Sequence, residues 1–102
     1  MIKHVIIWKL KEEYSFAEKE SIKANAKLNL ESLVGKIRGL TALNVRVSGL
    51  LSSSADMMLD STFDSFDALR EYKKAPEHVK VADTFVRPFV EIRLCFDYEL
   101  KE

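Results

Sequence analysis

The fold of this chain is decided by its last strand-like segment, FVEIRLCFDYEL at residues 89–100. Every second residue from Val90 to Tyr98 is apolar, and this alternation predicts an extended strand with one apolar face. The residues of the other face are Glu91, Arg93, Cys95 and Asp97. If the apolar row faces away from the helices it needs a partner, because a monomer rarely exposes such a patch. We therefore expect two copies of the chain to form a homodimer through their open sheet faces.

Three further strands and two helical regions precede this segment. The strands are predicted at residues 2–11, 42–49 and 56–63, where apolar and polar residues alternate. A capping box, SFAE at residues 15–18, starts the first helix, which is expected to end in the 35–39 region. The second helix starts at Asp64 or Ser65 and is interrupted at Pro76, which starts a new turn.

The order βαββαβ predicts an α+β fold with the split βαβ arrangement of ferredoxin-like domains. Right-handed connections place the last strand beside the first and antiparallel to it, with both helices on one face of the sheet. The expected product of this arrangement is a dimer whose apolar sheet faces are covered by each other.

Composition limits the class of protein and its partners. The chain has 102 residues, the size of a single domain spanning residues 1–102. Lys plus Arg and Asp plus Glu number 16 each, so no long-range field attracts nucleic acid or an anionic membrane. The longest apolar run, residues 5–8, is too short to span a bilayer, and we expect no signal peptide. Because Cys95 is the only cysteine, we expect a reduced, cytoplasmic protein.

The first candidate site combines Tyr72 and His78, which lie on the two sides of the break at Pro76. An imidazole can take a proton from carbon or oxygen near neutral pH, and a phenol can donate a hydrogen bond to a developing enolate. The alternative is structural, with Tyr72 as a half-buried helix residue and His78 as a solvent-facing or capping residue. Spacing alone favours the structural interpretation.

The second candidate site pairs His4 with Asp97. If the last strand lies beside the first, the two side chains share a face, where Asp97 can orient His4 and stabilise its charged form. The alternative is a hydrogen bond that only satisfies two buried polar groups. The other residues expected on this face are Ile6, Trp8, Arg93 and Cys95.

Other kinds of site find little support in the sequence. Two histidines without a His-x-x-x-His pair predict no zinc site, and Cys95 is expected to be an inert strand residue. The three glycines lie too far apart for a phosphate-binding loop or a dinucleotide fingerprint, so we expect no cofactor. The basic, aromatic signature of RNA-binding ferredoxin-like domains is also missing from the strands.

Over essentially its whole length, the chain resembles the stress-responsive A/B barrel, or Dabb, family. The segments that carry the resemblance are KHVII at 3–7, TFDS at 62–65, AL at 68–69, Tyr72 with PEH at 76–78, VRP at 86–88 and FDYE at 96–99. The resemblance implies a dimeric α+β barrel, with the two sheets facing each other inside it. Most members have no assigned reaction, and some plant members are linked to stress tolerance or antifungal action.

One plant member of the family, a polyketide cyclase, closes a linear polyketide by aldol chemistry without a cofactor. The resemblance to it implies that His78 is a base and that Tyr72 holds substrate, with His4 and Asp97 at matching positions.

The chain departs from the cyclase at several positions. A histidine that often precedes the proline in the family is Ala75 here, and another pocket histidine is Met57. Two apolar pocket positions are Arg93 and Cys95. A pocket that contains Arg93 suits a small anionic ligand better than an alkyl-tailed polyketide.

Two functions follow from these patterns. The first is a dimer of unassigned activity that binds a small molecule between its helices and sheet. The residues expected to contact that ligand are His4, Trp8, Met57, Arg93 and Asp97. The alternative is a cofactor-independent enzyme that abstracts a proton from a carbonyl compound, with His78 as the base and Tyr72 as the hydrogen-bond donor.

Overall fold

The computed structural model describes residues 1–101. The elements follow one another as β1 (Ile2–Leu10), α1 (Phe16–Glu31), β2 (Leu40–Arg46), β3 (Met57–Phe63), α2 (Phe66–Lys74), α3 (Pro76–Phe85) and β4 (Val90–Glu99). A short 3-10 helix, Arg87–Phe89, joins α3 to β4. The predicted α+β, ferredoxin-like βαββαβ order is confirmed, with the second helix divided in two at Pro76. Within residues 1–101, no helix is both long and apolar enough to cross a membrane.

The strands form one antiparallel sheet in the order β2-β3-β1-β4. β1 pairs with β3 on one side and with β4 on the other, so the last strand lies beside the first, as predicted. On one face of β1, Ile6, Trp8 and Leu10 are buried in a core that they share with Leu30 of α1 and Leu69 of α2. The helices therefore cover that face, and the opposite face is left open.

A β-bulge changes the predicted faces of β4. The register shifts between Lys9, which pairs with Ile92, and Leu10, which pairs with Val90. An extra residue in one strand reverses which side chains face the core beyond that point. Val90 therefore packs against the core under the helices. The prediction that Val90 begins the open apolar row is wrong, and the row begins at Ile92.

The capping box at the start of α1 is present. Glu18 N–H donates to the Ser15 hydroxyl at 3.1 Å, and Ser15 N–H donates to the Glu18 carboxylate at 2.8 Å. α1 ends at Glu31, earlier than the predicted 35–39 region. Beyond Glu31, several backbone hydrogen bonds reach back three residues and not the four of an α-helix. The N–H of Leu33, for example, donates to the carbonyl three residues before it, at 3.1 Å. Such bonds form turns and do not extend an α-helix.

The break between α2 and α3 also follows the prediction. Ala75 is extended, with φ −64° and ψ 130°, and Pro76 occupies the start of α3. A proline ring disfavours helical geometry in the residue before it and is well suited to the first helical position. The chain therefore turns at Ala75, and α3 leaves in a new direction.

The open sheet face carries a row of exposed apolar side chains. Leu94 and Phe96 of β4 are 63% and 69% exposed, with Ile92 and Tyr98 on either side of them. Ile7 of β1, which pairs with Leu94, is 39% exposed. These five residues are called the open apolar face below, and no helix or strand within residues 1–101 packs over them.

Candidate functional site

A cavity of about 480 Å³ lies between the covered face of the sheet and helices α2 and α3. This volume lies within the range of small-molecule sites in proteins. The largest apolar side chain in its wall is Trp8. Its polar lining residues are His4, Tyr72, Lys73, His78, Arg87, Glu91 and Arg93.

The break at Pro76 brings Tyr72 and His78 together. Tyr72 lies in the last turn of α2 and His78 in the first turn of α3. Their ring centroids are 4.1 Å apart, with an angle of 32° between the ring planes. Tyr72 is 1% exposed, and its ring also packs edge-on against Phe63 at 5.0 Å. Tyr72 is thus more deeply buried than the half-buried helix residue of the structural interpretation.

The environment of His78 favours the neutral imidazole. Burial lowers the pKa of His78 to about 4, although the backbone of Lys73 acts in the opposite direction. The charges of Arg87 and Arg93 add to the lowering. His78 Nδ1 is buried and has no hydrogen-bond partner among residues 1–101. A neutral imidazole with an unused nitrogen can accept a hydrogen bond or a proton from a ligand.

His4 and Asp97 lie opposite each other in the pairing of β1 with β4. His4 Nδ1 donates to Asp97 Oδ1 at 2.5 Å, and His4 is only 2% exposed. Burial lowers the pKa of His4 more than the neighbouring carboxylate raises it. Burial acts to raise the pKa of Asp97, but hydrogen bonds from His4 and Cys95 keep that pKa below its usual value. His4 forms part of the cavity wall, whereas Asp97 contacts His4 but is not among the lining residues.

Cationic side chains dominate the rim of the cavity. Arg87 is paired with Asp83 at 2.5 Å, and Lys73 lies 3.8 Å from Asp97. Arg93 has no ion pair within the described part of the chain. Among residues 1–101, Glu91 supplies the only carboxylate of the lining, so the charged side chains around the cavity carry an excess of positive charge.

Several lining residues were not predicted from the sequence. Lys73 follows Tyr72 directly and Arg87 lies within the VRP segment at 86–88. Their positions in these segments were the available signal for them. Glu91 enters the lining next to the bulge in β4.

Met57, in contrast to Trp8 and Arg93, is not among the lining residues. It is 3% exposed and packs in the core opposite Trp8. Its predicted contact with a ligand stays a prediction that no observation tests.

Three solved structures illustrate what the chain is similar to. A dimeric protein of unknown function and ferredoxin-like fold from Bacteroides fragilis is 28% identical, with a TM-score of 0.90 over 97% of this chain and 95% of its own. A Dabb family protein from Mesorhizobium loti is 24% identical, with a TM-score of 0.74 over 99% of this chain and 97% of its own. The hydroxynitrile lyase from Passiflora edulis is 17% identical, with a TM-score of 0.72 over 99% of this chain and 94% of its own. Two further structural relatives, 17% and 19% identical to this chain, are also described as dimeric.

A comparison with curated proteins finds no significant match. The family profile of the stress-responsive A/B barrel domain, Dabb, matches residues 2–100. This range includes every strand and helix described above, and it confirms the family resemblance inferred from the sequence. The resemblance to the polyketide cyclase is not shown by these comparisons. The chain belongs to the stress-responsive A/B barrel domain family.

Proposed function

We propose that this protein is a homodimer that binds a small anionic carbonyl compound between its helices and sheet. The observation that carries the proposal is the cavity of about 480 Å³, whose wall includes both His78 and Arg93. The buried Nδ1 of His78 lacks a partner, and an unsatisfied buried polar group costs about 1–3 kcal/mol. A ligand group that donates a hydrogen bond to this nitrogen, such as a hydroxyl, removes that cost. The guanidinium of Arg93 suits a carboxylate, which it can hold with two parallel hydrogen bonds.

The open apolar face supports the dimeric part of the proposal. Leu94 and Phe96 are more than half exposed, and large contiguous apolar patches usually mark an interface. The Bacteroides fragilis relative is described as dimeric. A two-fold arrangement in which each open apolar face covers the other leaves the cavity, on the opposite side of the sheet, accessible in both protomers.

Binding of a keto acid is expected to depend on Arg93. Levulinate carries a carboxylate and a ketone, whereas pentanoate has the same chain without the ketone. We expect levulinate to bind more tightly than pentanoate, and Arg93→Ala to weaken levulinate binding about 10- to 100-fold, the range for loss of a charged hydrogen-bond partner. Isothermal titration calorimetry on the purified protein measures both dissociation constants.

Arg70→Ala is the matched control for this experiment. Arg70 is an exposed arginine of α2 that lies outside the cavity lining, so its loss should leave levulinate affinity unchanged. Equal affinity for levulinate in Arg93→Ala and in the unmodified protein would contradict the proposed site.

A second candidate function is proton abstraction from the bound carbonyl compound, without a cofactor. The packing of the His78 ring on the Tyr72 ring, with centroids 4.1 Å apart, supports this function. The imidazole can take a proton from the ligand while the phenol donates a hydrogen bond to the developing enolate. The low pKa of His78, about 4, makes it a weak base, and for this reason binding is the first proposal. The similarity to the Passiflora edulis hydroxynitrile lyase is evidence for a shared fold and not for a shared activity.

Hydrogen exchange at the carbons next to the ketone tests this second function. Incubation of levulinate with the protein in D₂O, followed by proton NMR, is expected to reveal exchange that slows about 10²- to 10⁴-fold in His78→Gln. Because the pKa of His78 is about 4, kcat/KM for exchange should stay constant down to about pH 5 and fall below that as the imidazole takes up a proton.

Calorimetry on His78→Gln separates the two functions. Retained levulinate binding with lost exchange supports catalysis by His78. If His78→Gln, or the double variant that also carries Tyr72→Phe, exchanges hydrogen as fast as the unmodified protein, then His78 is not the base. A protein that binds levulinate without any exchange is a binding protein, as in the first proposal.

A further inference from the structure

We propose that His4, Cys95 and Asp97 form a binding site for a single zinc-type metal ion that links β1 to the edge strand β4. The ligand atoms of these residues lie within 4.8 Å of one another. Cys95 Sγ is 3.7 Å from His4 Nδ1 and 3.3 Å from Asp97 Oδ1. His4 Nδ1 and Asp97 Oδ1 are 2.5 Å apart. The three residues supply one sulfur, one imidazole nitrogen and one carboxylate oxygen on one face of the sheet. The Cys95 thiol becomes a thiolate ligand when the ion displaces its proton, which is released to solvent.

Strand register brings the three side chains together. His4 pairs directly with Asp97, and Cys95 precedes Asp97 by two residues and so points to the same face. Metal ligands on adjacent strands need no loop to rearrange when the ion binds. The expectation that the chain has no zinc site considered only the spacing of its two histidines along the sequence. The partners of His4 are more than 90 residues away from it, so this spacing could not reveal them.

Two of the three separations between the ligand atoms suit tetrahedral coordination of an ion, and the third is too short. Zinc bonds of about 2.0–2.3 Å at tetrahedral angles place ligand atoms about 3.3–3.6 Å apart. Both separations from Cys95 Sγ are close to this range. The separation between His4 Nδ1 and Asp97 Oδ1 is that of a hydrogen bond, and it must lengthen by about 0.8 Å when an ion replaces the shared proton. The Asp97 side chain, which is 26% exposed, can supply this movement by rotation.

The donor set selects the class of metal. A thiolate with an imidazole favours zinc and related borderline ions over magnesium and calcium, which prefer oxygen ligands. Thiolate and carboxylate together balance the two positive charges of the ion. Lys73 Nζ, 3.8 Å from the other Asp97 oxygen, adds one positive charge nearby. That charge favours an anion or a water molecule in the fourth position.

The proposed metal site shares one residue with the proposed ligand cavity and lies on the side of the sheet opposite the dimer face. Of its three residues only His4 lines the cavity. Cys95 and Asp97 lie on the face opposite the open apolar face, because side chains alternate along β4. Failure of levulinate binding therefore leaves this inference intact, and failure of metal binding leaves the cavity intact.

Cobalt(II) titration of the untagged, EDTA-treated protein tests the site. A thiolate bound to cobalt gives a sulfur-to-metal charge-transfer band in the near ultraviolet, and the chain contains one cysteine, so the band reports on Cys95 alone. We expect the band to saturate at one cobalt per chain and to disappear when zinc is added. It should be absent in Cys95→Ser, an exposed position where the change should not impair folding.

His78→Gln is the matched control, because His78 is the only other histidine and it lies outside the site. This variant should keep the band at full intensity, whereas His4→Gln should lose it. Zinc should also raise the melting temperature of the unmodified protein and leave that of Cys95→Ser unchanged. Absence of the band at millimolar cobalt, or an equal zinc effect on melting in Cys95→Ser, overturns the inference.

Discussion

Replacement of both Leu94 and Phe96 by aspartate is expected to convert the proposed dimer into a folded monomer. The two side chains are 63% and 69% exposed in the single chain, and they lie opposite Ile7 and Val5 in the β1–β4 pairing. Complete burial of each side chain contributes about 1.5–3 kcal/mol. In a two-fold dimer each change occurs twice, and the new carboxylates would have to leave water. We therefore expect the dimer to weaken at least a thousand-fold.

Size-exclusion chromatography with light scattering measures this effect against the chain mass of 11.7 kDa. Phe16→Asp is the matched control, since Phe16 is 76% exposed but lies on α1, away from the open apolar face. It should leave the mass of the dimer unchanged. A double variant that remains dimeric at micromolar concentration would place the interface elsewhere.

The monomeric variant also separates assembly from ligand binding. Leu94 and Phe96 lie on the open side of β4, whereas Arg93 points into the cavity under the helices. Levulinate should therefore bind to the monomer with nearly its normal affinity. A large loss would mean that the cavity depends on the partner for its shape.

Much of the fold could be predicted because the alternation of apolar residues and the rules for connecting strands indicate the same arrangement. The alternation in β1 and β4 determines which side chains are buried, and handedness of the connections places these strands side by side. The bulge at Lys9 and Leu10 was not predictable in this way, because alternation does not reveal which strand carries an extra residue. For that reason Val90 was assigned to the wrong face. The end of α1 was also misjudged, since the apolar spacing continues into residues that form turns.

The candidate site was predictable only in part. The break at Pro76 predicted that Tyr72 and His78 would lie on separate helical segments, but not that their rings would stack. Stacking depends on the angle between α2 and α3 and on side-chain rotamers, which no spacing rule gives. Cys95 was interpreted as an inert residue because it has no base next to it in sequence. The imidazole that lies beside it, that of His4, comes from the other end of the chain.

Replacement of Gly39 by alanine is expected to destabilise the protein by about 2–5 kcal/mol, from backbone strain and overpacking together. Gly39 has φ +85°, a left-handed conformation that alanine adopts at a cost. An added Cβ would also lie 2.5 Å from the Cβ of Ala68 and 3.0 Å from a carboxylate oxygen of Asp64. Ala68 belongs to α2, so relief of this contact requires the helix to move away from the loop before β2.

Gly35→Ala is the control that isolates the contact from the strain. Gly35 has φ +90°, and an added Cβ would meet nothing within 4 Å, so only the conformational cost of about 1–2 kcal/mol applies. Denaturant unfolding of both variants, at one protein concentration because the protein is expected to dimerise, measures the difference. Equal losses for the two variants would mean that α2 yields to the added methyl group at no cost.

The Gly39 variant also tests how α2 supports the site. Ala68 and Tyr72 are four residues apart and lie on one side of α2, so displacement at Ala68 moves Tyr72 with it. Tyr72 packs against both Phe63 and His78, and a shifted ring would open the contact that shapes the cavity wall. We expect levulinate affinity to fall in Gly39→Ala under conditions where the protein is still fully folded, and to remain unchanged in Gly35→Ala. Unchanged affinity in a destabilised but folded Gly39→Ala protein would separate the position of α2 from ligand recognition and assign recognition to α3 and the sheet.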